Sequence, residues 1–166
     1  KTRNEWLPEQ IQNILLDKGG YLLPYLDLPR EHPHFKALQR IGSTGILKGE
    51  GRNVGWSNET WFNAEKPVET AQLKKDLAEF ESSFHWNIPG DQLTVEGSYQ
   101  LISQLAGHFK KPQMSATAFQ SMWQIAGLSD YQPERLISRG ELAVMLDTII
   151  QPFELKQVDI YGHFIK

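Results

Sequence analysis

The sequence predicts a mainly α fold, an all-α protein in which two duplicated helix-loop-helix units pack as a helical bundle. Two observations favour this fold class. Apolar residues recur three or four positions apart along most of the 166 residues, as they do on one face of a helix. A segment that opens a helix at residues 68–73 also recurs 69 residues later, at residues 137–142. A duplicated unit usually buries its apolar face against its copy, so we expect the two units to share one core.

Start and stop signals predict six helices. Pro8 suits the first position of a helix, and the pair Gly19-Gly20 ends that helix. A second helix follows Pro33 and breaks at residues 42–45. The remaining four begin near Thr70, Thr94, Ser115 and Ser138. Strand-like alternation is limited to one short candidate strand near Gln157 to Tyr161.

Each predicted helix has an apolar face that we expect to be buried. In chain order these faces comprise Ile11, Ile14 and Leu15; Phe35, Leu38 and Ile41; Leu73, Leu77 and Phe80; Tyr99, Ile102 and Leu105; Phe119, Met122, Trp123 and Ile125; and Leu142, Val144, Met145, Leu146 and Ile149.

The composition excludes several classes of function. There is no cysteine, which removes thiol catalysis, thiolate metal sites and disulfides. A net charge of −3 argues against a non-specific binder of nucleic acid or of an anionic membrane. Apolar stretches fall far short of the ~20 residues of a membrane span. Because the chain begins at Lys1 and not at Met, we expect a fragment of a longer protein or a processed product.

Residues 49–63 form a long polar segment that holds Trp56, Trp61 and Phe62, so we expect an ordered loop and not a disordered linker. One interpretation places Trp56 and Trp61 against sugar rings, as amphipathic aromatic residues often lie at recognition sites. The favoured interpretation has Trp61 and Phe62 filling the gap between paired helices, with only Trp56 near solvent. The glycines do not match the dinucleotide fingerprint, because their spacing is GxGxxxG.

A known repeat resembles both units. The first unit contains Asp27-Leu28-Pro29, His32, Phe35, Ala37, a Gly-Ile-Leu-Lys-Gly run at residues 45–49, Phe62 and Pro67-Val68. The second contains Ser138-Arg139-Gly140-Glu141-Leu142, followed by apolar residues to Leu146. These segments resemble the S-layer homology (SLH) repeat, which runs Asp-x-Pro, helix, Gly-Ile-x-x-Gly, aromatic loop, then Thr-Arg-Ala-Glu-Phe at the second helix. Thr70 and Gln72 stand where that pattern has its Arg and Glu, and the second unit lacks Asp-x-Pro.

We therefore expect a single accessory domain over residues 1–166. Its predicted parts are an N-terminal helix and connector at 1–26, an SLH-like unit at 27–83, a linking helix at 84–113, a second unit at 114–150 and a tail at 151–166. The linking helix is either a third, degenerate copy of the unit or an insertion.

A second resemblance concerns the run at residues 32–51 and the residues that follow it, 53–58. This run is similar to the C-terminal region of FAD-dependent oxidoreductases of Bacteroides-type bacteria, sometimes labelled xanthan lyases. In that family the flavin-binding part precedes the region, so the resemblance implies FAD in the parent chain and no cofactor in this fragment. It implies a non-catalytic module at the C-terminal end of a larger periplasmic or extracellular enzyme.

Such a module would bind glycan or dock on its own catalytic domain, with neither nucleic acid nor a membrane span involved. One alternative is a self-standing cell-surface glycan-binding module. Another is a fragment of a polysaccharide-active hydrolase or lyase, which we disfavour because the sequence offers no catalytic constellation. His32 and His34 lie beside Glu31, but alternate residues around a proline rarely converge on a metal, so we expect no metal site.

The candidate ligand-binding residues are Arg139 and Glu141, at the start of the last helix, together with Trp56 and Trp61. Ser138 and Glu141 have the spacing of a capping box, which by itself accounts for both. In SLH proteins the residue that matches Arg139 lies in a groove that holds an anionic cell-wall polysaccharide. The other interpretations of Arg139 are a structural ion pair and a solvated residue of the first helical turn, which would contribute little to folding.

Overall fold

The computed structural model describes residues 8–55, 57–155, 157–158 and 164–165. Within them lie six α-helices, and each begins where the sequence predicts a helix. They are α1 (Pro8–Asp17), α2 (Phe35–Thr44), α3 (Thr70–Phe80), α4 (Val95–His108), α5 (Ala116–Ile125) and α6 (Arg139–Ile149), with a 3-10 turn at Pro152–Leu155. The helix starts are determined by local residues. The side-chain oxygens of Thr94, Ser115 and Ser138 each accept a hydrogen bond from a backbone N–H in the first turn of the helix that follows.

The prediction of a purely α-helical bundle is wrong, because the structure mixes helices with small antiparallel sheets. Strand β1 (Glu50–Val54) pairs with β2 (Ser57–Trp61), and Val54 lies opposite Ser57 across a two-residue turn. Gly55, with φ +62, supplies the left-handed backbone that this turn needs. The hairpin lies inside the segment predicted as a loop. Its strands have no buried face, so they lack the apolar alternation that reveals a half-buried strand.

A second, shorter pair joins β3 (Gln157–Val158) to β4 (Phe164–Ile165). The strand predicted near Gln157 to Tyr161 is therefore confirmed for its first two residues, and the remainder lies outside the described residues.

Three short extended segments form a closed ring of hydrogen bonds at the centre of the molecule. The Leu93 N–H donates to the Val68 carbonyl (2.9 Å), the Ile137 N–H to the Leu93 carbonyl (2.9 Å), and the Val68 N–H to the Ile137 carbonyl (3.2 Å). All three side chains are buried. Each segment leads directly into a helix, α3, α4 or α6. Helix α4 thus starts from the same ring as α3 and α6, the second helices of the two predicted units.

Helices α2 and α6 pack against each other, and one core of buried residues includes side chains from all six helices. Leu38, Ile41, Phe119, Trp123 and Met145 are all fully buried, as their predicted helix faces require.

Two of the predicted helix faces are partly wrong. Among the α1 side chains that the structure describes, the buried one is Leu16, whereas Ile14 and Leu15 are 50% and 45% exposed; the Ile11 side chain lies outside the described part. Ile125 is 86% exposed, although the repeat aligns it with the buried Ile41. The alignment of Ile125 with Ile41 fails because Ile125 is the last residue of α5, whereas α2 continues for three residues beyond Ile41.

Candidate functional site

A groove beside Arg139 is the candidate site nearest to the sequence prediction. It encloses about 610 Å³ between residues 47–50, residues 66–69, the first two turns of α3 and the start of α6. Its floor is apolar, with Leu47, Val68 and Leu73 buried. Its polar walls are formed by Lys48, Glu50, Lys66, Glu69, Gln72, Asp76 and Arg139. The groove lies between the two units, because its walls come from both.

Arg139 crosses from the second unit to the first. Its Nε donates to the Phe62 carbonyl (3.0 Å) and its Nη2 donates to the Lys48 carbonyl (2.6 Å). The guanidinium carbon also lies 5.3 Å from the centre of the Phe62 ring, within the range of a cation–π contact. Burial lowers the pKa of the Arg139 guanidinium from its ordinary value, against the attraction of Glu50 and other anionic neighbours. The interpretation of Arg139 as a solvated first-turn residue is therefore wrong, and its bonding partners are carbonyls and not a carboxylate.

The other charges of the groove are arranged in donor–acceptor pairs. The Lys66 ammonium contacts the Glu50 carboxylate at 3.0 Å, and both side chains are about half exposed. A hydrogen bond from Lys66 lowers the pKa of Glu50. The fully buried Asp76 accepts from the Gln72 amide (2.8 Å) and from the Lys48 backbone N–H (3.3 Å). The Lys48 ammonium pairs with Glu79, and this hydrogen bond raises the pKa of Lys48.

Glu141, the second predicted ligand-binding residue, lies outside this groove. The capping box with Ser138 is present, and the carboxylate also accepts from Arg135 (2.8 and 3.0 Å) and from the Ser129 hydroxyl. Residues two apart on a helix do not share a face, so Arg139 and Glu141 point into different surface depressions. Burial raises the pKa of Glu141, but the hydrogen bonds from Arg135, Ser129 and the Ser138 N–H outweigh it, and the pKa is lower than usual.

Trp61 ends strand β2 and is partly buried, with the Arg52 guanidinium 5.9 Å from its ring. Its indole Nε1 is buried without a hydrogen-bond partner among the described residues. Phe62 is fully buried and packs edge-on against Tyr25 at 5.3 Å, which confirms that it fills the core. Trp56, the other candidate for sugar stacking, lies outside the described residues.

Comparison of the chain with models of known families, with curated proteins and with solved structures finds no match. The similarities to SLH repeats and to the oxidoreductase C-terminal region therefore rest on the quoted residues alone.

Sequence reasoning missed the structural support under the groove. Asp27 accepts the backbone N–H groups of Phe62 (2.7 Å) and Asn63 (2.6 Å), which fixes the end of the hairpin. Tyr25 lies between two glycines: a Cβ added to Gly42 would approach its hydroxyl to 2.3 Å, and one added to Gly49 would approach its ring to 2.5 Å. Burial raises the pKa of Tyr25 to about 12, which keeps its hydroxyl neutral. Only the Asp-x-Pro pattern and the glycine spacing gave a signal of this arrangement.

A polar cluster at the end of α3 also escaped the sequence analysis. The Ser83 hydroxyl lies 3.4 Å from His108 Nε2 and donates to Glu81, whose carboxylate is itself 4.0 Å from the same Nε2. In a hydrolase triad the carboxylate instead holds the other ring nitrogen and leaves the hydroxyl to the imidazole. The order of contacts here is that of a surface hydrogen-bond network, and Ser83 and His108 are 25 positions apart, so the sequence showed no sign of it.

Neither a cluster of metal ligands nor a membrane-spanning helix is present in the part of the chain that the structure describes. No three His, Asp or Glu side chains of that part converge as metal ligands. None of its helices has the length and apolar character needed to cross a membrane.

Proposed function

We propose that this chain is a non-catalytic binding module and that the groove beside Arg139 holds a glycan. The observation that carries the proposal is the alternation of donors and acceptors on the groove walls. An ammonium only donates hydrogen bonds and a carboxylate only accepts them, whereas a sugar hydroxyl does both. The half-exposed Lys66–Glu50 pair and the exposed Gln72 amide therefore offer donors and acceptors to adjacent hydroxyl groups, while the buried Asp76 holds the Gln72 amide in place.

The charge balance favours a neutral glycan over an acidic one. Lys66 and Lys48 are already neutralised by Glu50 and Glu79, and Arg139 donates to two carbonyls. A polyanion would have to displace these partners and would also face the Asp76 carboxylate at the groove wall. Neutral hydroxyls add to the existing pairs without separating charge.

The wider context of this proposal comes from the two resemblances. They support an accessory role at the C-terminal end of a larger bacterial FAD-dependent oxidoreductase, in the periplasm or outside the cell. The glycan would then bring the parent enzyme to its polymeric substrate or to a cell surface.

The alternative function is docking on the catalytic domain of the same protein. It is favoured by an uneven distribution of apolar surface: Ile14, Leu15, Tyr21 and Leu26 are all 44% or more exposed and lie within thirteen residues of one another. If docking is the function, a chain with Ile14→Ser and Leu15→Ser no longer co-elutes with the separately produced flavin domain, and the wild-type chain does. Co-elution of both, or of neither, contradicts it.

The glycan proposal is tested with a panel of neutral and acidic oligosaccharides, followed by titration calorimetry of the best ligand. Lys66→Ala removes a half-exposed wall residue, and we expect it to weaken binding by about tenfold, as for the loss of one charge-assisted hydrogen bond. Lys75→Ala is the matched control, because Lys75 is an exposed lysine on α3 outside the groove. Both variants should keep the wild-type melting temperature.

Three results oppose the proposal. The first is no binding to any glycan of the panel, and the second is equal affinity in Lys66→Ala and wild type. The third is a preference for acidic over neutral oligosaccharides, which contradicts the charge argument while leaving a glycan function in place.

A further inference from the structure

A second cavity lies on another part of the surface, where α1, α2, α5 and α6 meet. It measures about 540 Å³, which is within the size range of sites for small molecules. Leu16, Phe35 and Val144 give it an apolar wall, and all three are buried residues of the core.

The charged residues that line this cavity are all basic. Arg30, Lys36 and Arg40 contribute cations, His32 and His34 contribute imidazoles, and no Asp or Glu is among its described lining residues. This is unusual in a chain whose net charge is −3. A concave surface lined by one sign of charge concentrates ligands of the opposite sign.

The three cations are not equivalent. Arg40 is held by both oxygens of Asp147 (2.9 and 2.5 Å), and Lys36 contacts Asp17 at 2.5 Å. Arg30 has no carboxylate within ion-pair distance among the described residues. Among the cations of the cavity, Arg30 is thus the one that no described carboxylate neutralises.

Arg30 is also held in place before any ligand arrives. Its guanidinium lies 4.6 Å from the centre of the Tyr21 ring, and Tyr21 packs edge-on against Phe35 at 5.3 Å. Phe35 begins α2, whose N-cap residue His34 makes no side-chain capping bond and whose first turn has no acidic residue. The partial positive charge of this helix end adds to the charge of Arg30 on the same side of the cavity.

We propose that this cavity binds a small organic anion, a carboxylate or phosphate monoester with an apolar body. The oxygens of the anion would contact Arg30 and the first turn of α2, where a planar guanidinium offers paired donors. Its apolar part would lie on Leu16, Phe35 and Val144. This site is independent of the groove beside Arg139, with which it shares no lining residue.

The test uses three probes of similar shape: benzoate, phenyl phosphate and the neutral benzamide. Binding is followed by amide shifts in two-dimensional NMR spectra, which also locate the site. We expect benzoate or phenyl phosphate to shift the amides of residues 30–37, and benzamide to shift none of them. The two anions distinguish a carboxylate site from a phosphate site.

Arg30→Gln should weaken binding of the preferred anion at least about fivefold, because the site loses the cation that no described carboxylate neutralises. Arg52→Gln is the matched control, since Arg52 is an exposed arginine on β1 outside the cavity. Lys66→Ala should leave anion binding unchanged, which separates this proposal from the glycan groove. Shifts of equal size with benzamide, no shifts with either anion, or equal affinity in Arg30→Gln would overturn the inference.

Discussion

Glu141 gives the sharpest test of how the second unit is held together. The perturbation is Glu141→Gln, which keeps the shape of the side chain and removes its charge. In the wild type the carboxylate is only 10% exposed and accepts the Ser138 N–H at 2.9 Å, two bonds from Arg135 and one from Ser129. The amide can accept at one oxygen only, so it leaves part of this set unpaired.

The size of the effect follows from the environment of each partner. A hydrogen bond to a charged group contributes about 1.5–3 kcal/mol, but Arg135 is 31% exposed and water screens its share. We therefore expect Glu141→Gln to lower the free energy of unfolding by about 2 kcal/mol at neutral pH. The Arg135 guanidinium also lies 5.8 Å from the ring of the fully buried Trp123.

The pH dependence gives a second, independent check. The pKa of Glu141 is lower in the folded chain than in the unfolded one, where it is about 4.3. A depressed pKa stabilises the fold above the unfolded value, and the stabilisation is lost as the pH falls through the folded value. The difference between wild type and Glu141→Gln should thus be full at neutral pH and shrink below about pH 4.

Urea unfolding followed by circular dichroism measures both quantities. Glu134→Gln is the control, because Glu134 is an exposed carboxylate in the turn before α6, and it should change stability by less than about 0.5 kcal/mol. The reasoning is refuted if Glu141→Gln is as mild as the control, or if its effect is the same at neutral and at acid pH.

Two further substitutions test how α2 packs against residues 22–25. Gln39 is fully buried and bonds two N–H groups and one carbonyl of residues 22–23, so Gln39→Leu should cost about 3 kcal/mol in urea unfolding; a neutral change would mean that these groups find other partners. Gly42→Ala should lower the melting temperature by several degrees, because its Cβ would approach the Tyr25 hydroxyl to 2.3 Å. Gly51→Ala, with nothing within 4 Å, should not, and equal shifts in both would contradict this close packing.

The helices were predictable because their signals are local. Ser115 and Ser138 cap α5 and α6 within three residues of sequence, and Gly45 and Gly127 end α2 and α5 with left-handed φ values of 80 and 67. The hairpin was not predictable from apolar alternation, because no residue of its strands is fully buried. The hydrogen-bonded ring was equally hidden, since its partners lie far apart in the sequence.

One residue of the candidate site could be predicted from the sequence, but its contacts could not. The repeat pattern indicated Arg139, yet its two acceptors precede it by 77 and 91 residues, and only the folded chain brings them together. Glu141 belongs to the same sequence pattern and serves a different surface, because a helix turns residues two apart away from each other. The basic residues of the second cavity all lie between residues 30 and 40, but its apolar wall also comes from α1 and α6, so the sequence did not show that these residues line a cavity.

The ring of Val68, Leu93 and Ile137 bears on how the chain reaches its native state. Each of the three segments donates one hydrogen bond to one of the others and accepts one from the third. The most distant pair in sequence is Val68 and Ile137, which are 69 residues apart. Bringing these two residues together costs loop-closure entropy before their hydrogen bond forms. This cost slows folding relative to a helical bundle whose contacts are between helices adjacent in sequence. During synthesis on the ribosome, the Val68 N–H would lack its native acceptor until Ile137 had been made. The first unit would therefore complete its native hydrogen bonds only after the segment before α6 had been synthesised.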